Sequence, residues 1–293
     1  MILLTGATGN VGSQVLRRLT ASGERVRCLV RDPRRLGGER VRVQIALGDL
    51  SDPASFRNAL RGVDTVIHLA ASIRDQTRAS IEELNAVATL RLLRAAERAR
   101  VERFVFFSAI GAEQHAPARF FRAKALAEQA VEEADLATTV FAPSIVYSPD
   151  DPWVTLLRRM SLLPAMPISG SGQARYQPIW ADDVAACVIA SVEQGTNGGH
   201  RRFELAGPET LTYDDITRLA LRSWGRERPL VHVPLPVVQA GLRSVELVSG
   251  QLAFATWEEA QLMEIPMTTP RGTADAESLG VQPLRMSAVL GGD

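Results

Sequence analysis

Short apolar runs alternate with longer amphipathic segments along the first half of the chain. The apolar runs, rich in Val, Ile, Leu and Phe, lie at 2–5, 26–30, 43–47, 64–70, 103–108 and 137–142. Their length and composition predict buried strands. The segment 80–99 has leucines and a valine at a spacing of three residues, which predicts a helix between two of these strands. Its predicted buried face carries Leu84, Val87, Leu90 and Leu93.

This alternation predicts an α/β fold of the Rossmann type, a doubly wound parallel sheet covered by helices on both faces. We expect residues 1–148 to form the sheet domain, to which a strand and helix within 177–206 return. After residue 148 the chain becomes rich in Pro, Gly and Ser, and the regular alternation stops. Residues 149–176 and 207–293 are therefore predicted to form a smaller, mostly helical substrate-side region, or lid.

Composition and charge narrow the classes of partner. The 33 basic residues balance 33 acidic residues and are scattered among them, so nucleic acid is not expected as a partner. Cys28 and Cys187 lie far apart in apolar segments, so we expect two buried thiols in a reducing compartment, with no disulfide and no metal site. No signal peptide opens the chain, and no apolar run reaches the roughly 18 residues of a membrane helix. A cytoplasmic protein without a membrane span is predicted.

The turn after the first strand has the sequence TGATGNVG. Gly6, Gly9 and Gly12 stand between that strand and a helix. A dinucleotide needs a tight turn there, close approach of the backbone to its pyrophosphate, and exposed N–H groups at a helix N-terminus. We therefore predict a dinucleotide-binding domain, in which these glycines and their neighbours contact the cofactor. The neighbours are Thr8, Asn10 and Val11.

The residues after the second strand indicate which dinucleotide is bound. In NAD-binding proteins an acidic residue at this point accepts hydrogen bonds from the adenosine ribose. Here Arg31 stands at that point, with Arg34 and Arg35 close behind it. A guanidinium pairs well with a phosphate, so NADP(H) is predicted as the preferred cofactor. Asp32 keeps NAD(H) open as the alternative.

Two further strand ends point towards the predicted cofactor crevice. Asp49 and Leu50 follow the third strand, and Ala70 and Ala71 follow the fourth. Ligands of such sheets lie beyond the carboxyl ends of the strands, so we expect these four residues to contact the cofactor. The Asp49 carboxylate has two candidate roles, which are a hydrogen bond to the adenine amino group and capping of the next helix.

Together these motifs resemble one superfamily. The glycine turn, GDL at 48–50, HLAA at 68–71, the serine in FVFFSAIGA and a lysine on the next helix are similar to the extended and atypical short-chain dehydrogenases/reductases. RFELAGPETLTYDDI and the segment 267–290 are similar to a narrower group, bacterial relatives of the Rossmann-type accessory subunit of respiratory complex I, with the NmrA-like redox sensors as cousins. The resemblance implies NAD(P)-binding and, for the wider superfamily, oxidoreductase activity.

The chain contains one lysine, Lys124, among its 33 basic residues. In the superfamily that it resembles, a tyrosine four residues earlier transfers the substrate proton, while the lysine holds the nicotinamide ribose. Here Phe120 occupies the tyrosine position, and it has no phenol. Lys124 and Ser108 are therefore the candidate catalytic residues, with Lys124 also implied as the ribose anchor. A surface ion pair with Glu128 is the alternative role of Lys124.

Two functions of different class remain open. One is an NADPH-dependent reductase of a small hydrophobic carbonyl compound or activated alkene. The other is a non-catalytic NADP(H)-binding protein that acts as a redox sensor, an assembly factor or a structural subunit. No pattern specifies a protein partner or a homo-oligomer. If a small-molecule substrate is bound, we expect its pocket to be bordered by His115, Tyr147, Tyr176 and Trp180.

Overall fold

The structure, a computed structural model, describes residues 1–76, 79–195, 198–249 and 257–291. Its strands, numbered in chain order, are β1 (Ile2–Thr5), β2 (Val26–Val30), β3 (Gln44–Leu47), β4 (Thr65–His68), β5 (Arg103–Phe107), β6 (Ala137–Pro143), β7 (Val146–Tyr147), β8 (Met166–Ser169), β9 (Arg175–Tyr176), β10 (Ile179–Trp180), β11 (His200–Leu205), β12 (Leu211–Thr212) and β13 (Leu230–Val233). The α-helices are α1 (Asn10–Ala21), α2 (Pro53–Phe56), α3 (Ala88–Arg98), α4 (Arg119–Glu132), α5 (Pro152–Met160), α6 (Ala181–Glu193), α7 (Tyr213–Ser223), α8 (Leu235–Ser249), α9 (Trp257–Leu262), α10 (Ala274–Ser278) and α11 (Met286–Leu290).

Seven strands form one parallel sheet in the order β11-β6-β5-β4-β1-β2-β3. This order confirms the predicted Rossmann-type fold. The chain leaves β1 towards β2 on one side and returns to β4 on the other, so the direction of winding reverses between β1 and β4. In such sheets the crevice at the reversal point, beyond the carboxyl ends of the strands, is where ligands bind. Of the two returning strands, β11 joins this sheet beside β6, while β10 pairs with β7 outside it.

Helices cover both faces of the sheet because the strands are apolar on both sides. One face packs against α1 and α6, where Val15 and Val188 are fully buried with the thiols Cys28 and Cys187. The other face packs against α3 and α4, which bury side chains such as Leu92 against the sheet. The two layers of helices hold the carboxyl ends of the strands in fixed positions, and the candidate site is built on those ends.

The helical segment at 80–99 buries a different face from the one that the leucine spacing predicts. Ile81, Asn85, Ala88 and Leu92 are fully buried. Of the four residues on the predicted face, Leu93 is buried, whereas Leu84, Val87 and Leu90 are only half-buried. A π-turn at Glu83–Val87 precedes α3 and adds a residue to one turn of the helix. That extra residue rotates the faces of the two halves relative to each other, which a simple three-residue spacing does not reveal.

The C-terminal region has a hydrophobic core of its own. Tyr147, Tyr176, Ile216 and Met286 belong to this cluster, to which α5, α7 and α11 contribute. Two short ladders, β8 with β13 and β9 with β12, hold the region together. Among the described helices, none is both long enough and apolar enough to cross a bilayer.

Candidate functional site

The glycine turn between β1 and α1 is built for close approach of a ligand to its backbone. Gly6 has φ +75°, and a Cβ there would lie 2.6 Å from the Ala70 backbone nitrogen. A Cβ on Gly12 would lie 2.0 Å from the Gly6 carbonyl oxygen. Gly9 is the N-cap of α1, and no side chain caps that helix, so its first N–H groups remain available to an anion. This turn fits the pyrophosphate of a dinucleotide.

A cleft of about 490 Å³ opens beside this turn, at the carboxyl ends of β1, β2 and β4. That volume lies within the range of roughly 300–1,000 Å³ that is usual for small-molecule and cofactor sites. The residues lining the cleft are Gly6, Ala7, Thr8, Gly9, Leu29, Val30, Arg31, Asp32, Arg35, Gly48, Asp49, Leu50, Leu69, Ala70, Ala71, Ser72, Gln76 and Leu84. Eight of them are among the contacts that the sequence predicts.

Three other predicted cofactor contacts lie in the first turn of α1 and do not line the cleft. The Asn10 side-chain oxygen accepts a hydrogen bond of 2.8 Å from the Ser148 hydroxyl, which joins α1 to the loop after β7. Val11 packs against the hydrophobic core, and Gly12 is buried against the turn. These contacts help to hold the turn in place, and the predicted contact of the three residues with the cofactor stays a prediction.

The basic residues after β2 divide into two groups. Arg31 and Arg35 line the cleft, and the Arg31 guanidinium donates to the Gln76 side-chain oxygen at 2.8 Å. Arg34 is not among the residues that line the cleft, and its predicted contact with the cofactor stays a prediction. Its guanidinium donates instead to both carboxylate oxygens of Asp32, at 2.9 and 3.2 Å from Nε and 2.9 Å from Nη2. The pairing lowers the pKa of Asp32 and occupies the acceptors that a ribose diol would need.

Asp49 lies in the cleft wall and also shapes its own turn. Its Oδ1 accepts hydrogen bonds from the backbone N–H and the hydroxyl of Ser51, both at 2.9 Å. Helix α2 is capped by Asp52, whose side chain accepts from the Ala54 N–H at 3.0 Å. Asp52, and not Asp49, therefore caps α2. Asp49 stabilises the turn between β3 and α2.

Asn85 is a residue of the site that the sequence interpretation missed. Its amide nitrogen donates to the carbonyl oxygens of Ser72 and Ile81 at 2.7 and 2.8 Å, and its oxygen accepts from the Ser72 N–H at 3.2 Å. Ser72 lines the cleft, so Asn85 fixes the position of one cleft wall. The available signal was a polar side chain in a helix segment whose neighbours are apolar.

Lys124 is buried on α4, with 2% of its surface exposed. Its Nζ donates to the Phe107 carbonyl oxygen at 2.6 Å, at the end of β5, and lies 4.9 Å from the centre of the Phe106 ring. Burial lowers the pKa of this amine to about 7, although the charge of Glu128 opposes the shift. The alternative of a surface ion pair with Glu128 is therefore wrong, because the amine is not at the surface.

Ser108 and Glu128 form a buried pair next to this lysine. The Ser108 hydroxyl donates to Glu128 Oε2, and the other oxygen of that carboxylate accepts from Arg202 Nε at 2.6 Å. Arg202 lies on β11 at the edge of the sheet, where it also pairs with Glu204 at 2.6 Å. The pairing with Arg202 compensates the buried charge of Glu128, which in turn orients the Ser108 hydroxyl.

Phe120 occupies the position where the superfamily has its tyrosine. Its ring lies 5.8 Å from Lys124 Nζ and packs at an angle of 64° against Phe121. Met263 and Ile265, which follow α9, pack into the same cluster. The surroundings of the amine on this side are apolar, and none of these side chains can exchange a proton.

Ion pairs attach α9 to the sheet domain near this cluster. Arg74 donates to Glu259 at 2.5 and 2.9 Å, and Arg119, at the first turn of α4, lies 3.4 Å from Glu258. Both acidic residues are in the first turn of α9. The C-terminal region is thereby held against the start of the helix that carries Lys124.

The four residues predicted to border a substrate pocket do not lie among the residues lining the cleft. Tyr147 and Tyr176 are fully buried, and the Tyr176 hydroxyl donates to the Met263 carbonyl oxygen at 2.6 Å. Burial raises the pKa of both phenols above the usual range, so neither exchanges a proton near neutral pH. Trp180 packs against the C-terminal cluster, and His115 is exposed in the loop before α4.

Comparisons with known proteins agree with this cofactor cleft. A family model described as NAD(P)H-binding matches residues 6–194. The chain is 28% identical over 263 residues to NADH dehydrogenase (ubiquinone) 1 alpha subcomplex subunit 9 of Arabidopsis thaliana, covering 85% of this chain but only 64% of that protein. It is 31% identical over 260 residues to (4-alkanoyl-5-oxo-2,5-dihydrofuran-3-yl)methyl phosphate reductase of Streptomyces griseus, covering 84% of this chain and 86% of that enzyme.

A solved structure shows the same fold over nearly the whole chain. A nucleoside-diphosphate-sugar epimerase from Staphylococcus aureus superimposes with a TM-score of 0.78 at 20% identity and covers 99% of both chains. The predicted resemblance to relatives of the complex I accessory subunit is confirmed by the match to the plant subunit. With the family match spanning more than half of its length, the chain belongs to the family of NAD(P)H-binding proteins.

Proposed function

We propose that the protein is an NADPH-dependent reductase of a small hydrophobic carbonyl compound or activated alkene. The observation that carries this proposal is the buried amine of Lys124, whose pKa lies at about 7. A general acid works best when its pKa is near the working pH, because it then holds a proton and releases it readily. The Streptomyces relative, named as a (4-alkanoyl-5-oxo-2,5-dihydrofuran-3-yl)methyl phosphate reductase, supports an activated alkene as the group that is reduced, and its substrate also carries a phosphate.

The cofactor would be held by groups that the cleft already presents. The N–H groups at the start of α1 would bind the pyrophosphate, and Arg31 and Arg35 would bind the 2′-phosphate that distinguishes NADP(H). The Asp32 carboxylate also favours NADP(H) over NAD(H). It already accepts hydrogen bonds from Arg34 and so is not free to bind the adenosine ribose of NAD(H). A nicotinamide cofactor bound in this way supplies the hydride for the reduction.

Lys124 would supply the proton. Hydride addition to a carbonyl carbon leaves negative charge on the carbonyl oxygen. Hydride addition to an activated alkene leaves negative charge on the other carbon of the double bond. In both cases that atom requires a proton to complete the reduction. Lys124 gives up that proton and becomes a neutral amine, which a desolvated site favours over the ammonium form. The Ser108 hydroxyl, oriented by Glu128, would donate a hydrogen bond to the same oxygen after turning away from the carboxylate.

The apolar cluster around Phe120 supports a hydrophobic substrate. Phe120, Phe121, Leu262, Met263 and Ile265 lie together on the side of α4 that faces the C-terminal region. Phe121 and Leu262 are buried, whereas Phe120, Met263 and Ile265 are half-buried and offer apolar contact to a hydrophobic substrate. We assign the reaction to the cytoplasm, since both buried cysteines are free thiols.

A second function is favoured by one specific observation. Phe120 removes the proton donor that the wider superfamily uses, and the plant relative is named as a subunit of a respiratory complex. A protein of this second kind would bind NADP(H) for stability or as a redox sensor, and it would leave the bound nucleotide unchanged. The two functions differ in turnover and not in cofactor binding.

Loss of nicotinamide absorbance separates the two functions. Wild-type protein should oxidise NADPH in the presence of at least one member of a panel of quinones, enones and aldehydes. Lys124→Met should then lower kcat by about 10²–10⁴-fold, the usual contribution of a general acid. Phe120→Tyr is the matched variant, because it restores a phenol on the same helix face and should change the pH profile without abolishing turnover. A wild-type rate equal to that of buffer with every substrate would contradict the reductase and favour the binding-only function.

A further inference from the structure

The C-terminal region carries an exposed turn with an unusual surface, whose residues do not line the cofactor cleft. Leu162 and Leu163 form the turn after α5, and four arginines surround it. We call this surface the leucine tip, and it consists of Arg158, Arg159, Leu162, Leu163, Arg226 and Arg228. The strand pairing of β8 with β13 brings its two chain segments together, since Arg228 Nε donates to the Leu163 carbonyl oxygen at 2.9 Å.

The two leucines are exposed side by side. Leu162 is 68% exposed and Leu163 is 48% exposed, and Pro164 next to them is exposed as well. Scattered exposed leucines are ordinary on protein surfaces. These two leucines are adjacent in one turn, and neither is buried in the core of the C-terminal region. The turn thus presents apolar side chains to whatever lies beyond the protein.

The four arginines carry charge that no carboxylate compensates. Arg226 donates to the Arg158 carbonyl oxygen and the Ser161 hydroxyl, and Arg228 donates to the carbonyl oxygens of Leu163 and Glu227. All of these acceptors are neutral. Within the described residues, none of the four guanidinium groups forms an ion pair with a carboxylate.

The sequence around the leucine tip has few acidic residues, of which the exposed Glu227 lies between Arg226 and Arg228. No aspartate or glutamate occurs between Asp151 and Asp182, and Glu227 is the one acidic residue between Asp215 and Glu246. The chain as a whole has equal numbers of acidic and basic residues. The basic character of the leucine tip is therefore a local feature and not a consequence of overall composition. Arginines in the last turn of a helix such as α5 also favour its macrodipole, but that role gives no reason for exposed leucines.

We infer that the leucine tip docks on the surface of a lipid bilayer that contains anionic lipids. Apolar side chains enter the boundary between headgroups and acyl chains, while cations around them meet the phosphate groups of the lipids. The phosphates of nucleic acid would bind the arginines, but the two exposed leucines would add nothing to that binding. An acidic protein would pair with the arginines, whereas the two exposed leucines beside them need an apolar partner as well. Docking of this kind is peripheral and is independent of the proposed reductase function.

Sedimentation with large unilamellar vesicles tests the inference on the full-length protein. Vesicles of phosphatidylcholine with phosphatidylglycerol should bind the wild type, binding should weaken as salt is raised, and pure phosphatidylcholine should bind it poorly. The double variant Arg158→Gln/Arg159→Gln should lower the partition coefficient about 25-fold, roughly fivefold for each arginine lost near an anionic surface. Leu162→Ser/Leu163→Ser should lower it by about tenfold or more.

Matched variants elsewhere distinguish docking from a general loss of charge or apolar surface. Arg94→Gln/Arg98→Gln removes two exposed arginines from α3, and Leu284→Ser removes an exposed leucine. Both controls should sediment with anionic vesicles like the wild type, and all variants should bind NADPH alike. The inference is overturned if the wild type does not bind anionic vesicles, or if the tip variants bind as well as the controls. Binding to polyglutamate without binding to vesicles would overturn it in favour of an acidic protein partner.

Discussion

Replacing Lys124 with methionine tests whether the amine is held in a desolvated site. Burial lowers the pKa of Lys124 to about 7 in the folded chain, against a usual value of 10.5. Between these two pH values the unfolded chain binds a proton that the folded chain has lost. The wild-type free energy of unfolding should therefore rise with pH across this window, and methionine, with no titratable group, should remove that rise.

The size of the effect follows from the pKa values. One pKa unit corresponds to about 1.4 kcal/mol, so the protonated amine costs the folded state about 5 kcal/mol at pH values well below 7. Between pH 6 and pH 9 roughly 3 kcal/mol of this cost disappears, because the folded amine becomes neutral while the unfolded one stays charged. At pH 6 the variant should be the more stable protein. The variant's gain in free energy of unfolding is reduced by about 1–3 kcal/mol, since the Phe107 carbonyl oxygen loses its hydrogen-bond donor.

Urea unfolding of wild type and Lys124→Met, without nucleotide, measures this difference between pH 6 and pH 9. Groups that titrate equally in both proteins cancel in the comparison. His68 stays neutral in the folded wild type throughout this range, because burial and then the charge of Lys124 lower its pKa to about 3, and burial, the larger cause, persists in the variant. Curves of unfolding free energy against pH that run parallel for the two proteins would refute the desolvated amine, and with it the reason for choosing Lys124 as the acid.

Two substitutions beside the cofactor cleft have expected outcomes of their own. Gly12→Ala should weaken NADPH binding and lower stability by about 1–3 kcal/mol, since its Cβ would lie 2.0 Å from the Gly6 carbonyl oxygen. Gly38→Ala, where a Cβ meets nothing within 4 Å, is the matched control in thermal unfolding and nucleotide titration, and an equal loss in both would contradict this reasoning. Arg34→Gln should release the Asp32 carboxylate and raise NADH affinity relative to NADPH severalfold in a fluorescence titration, and an unchanged ratio would contradict the role given to that pair.

The sheet was predictable because its signal is local. The strands β1, β2 and β4 are short apolar runs, so they were visible in the sequence alone. The glycine turn was equally visible, because Gly6 and Gly12 are required by close contacts within one strand-turn-helix unit. Both signals depend on residues near each other in the chain, and the Rossmann-type order of the strands follows from connections that are short and right-handed.

Other features depended on contacts that a sequence pattern does not contain. Arg34 and Arg35 look equivalent after β2, but the carboxylate of Asp32 holds the first, while the second lines the cleft. Tyr147 and Tyr176 looked like pocket residues, yet they form the core of the C-terminal region, whose packing joins segments far apart in the chain. Asn85 was missed for a similar reason, because its partner Ser72 lies across a loop.

Parallel titrations of the wild-type protein with NADPH and NADH, at one fixed salt concentration, test the central claim most directly. If Arg31 and Arg35 receive the 2′-phosphate, NADPH should bind about tenfold or more tightly, since a hydrogen bond to a charged group contributes about 1.5–3 kcal/mol. Arg31→Gln should lose most of that preference and keep its affinity for NADH. Equal affinities of the wild type for the two nucleotides, or a preference that survives in Arg31→Gln, would contradict the account of this cleft as an NADP(H) site.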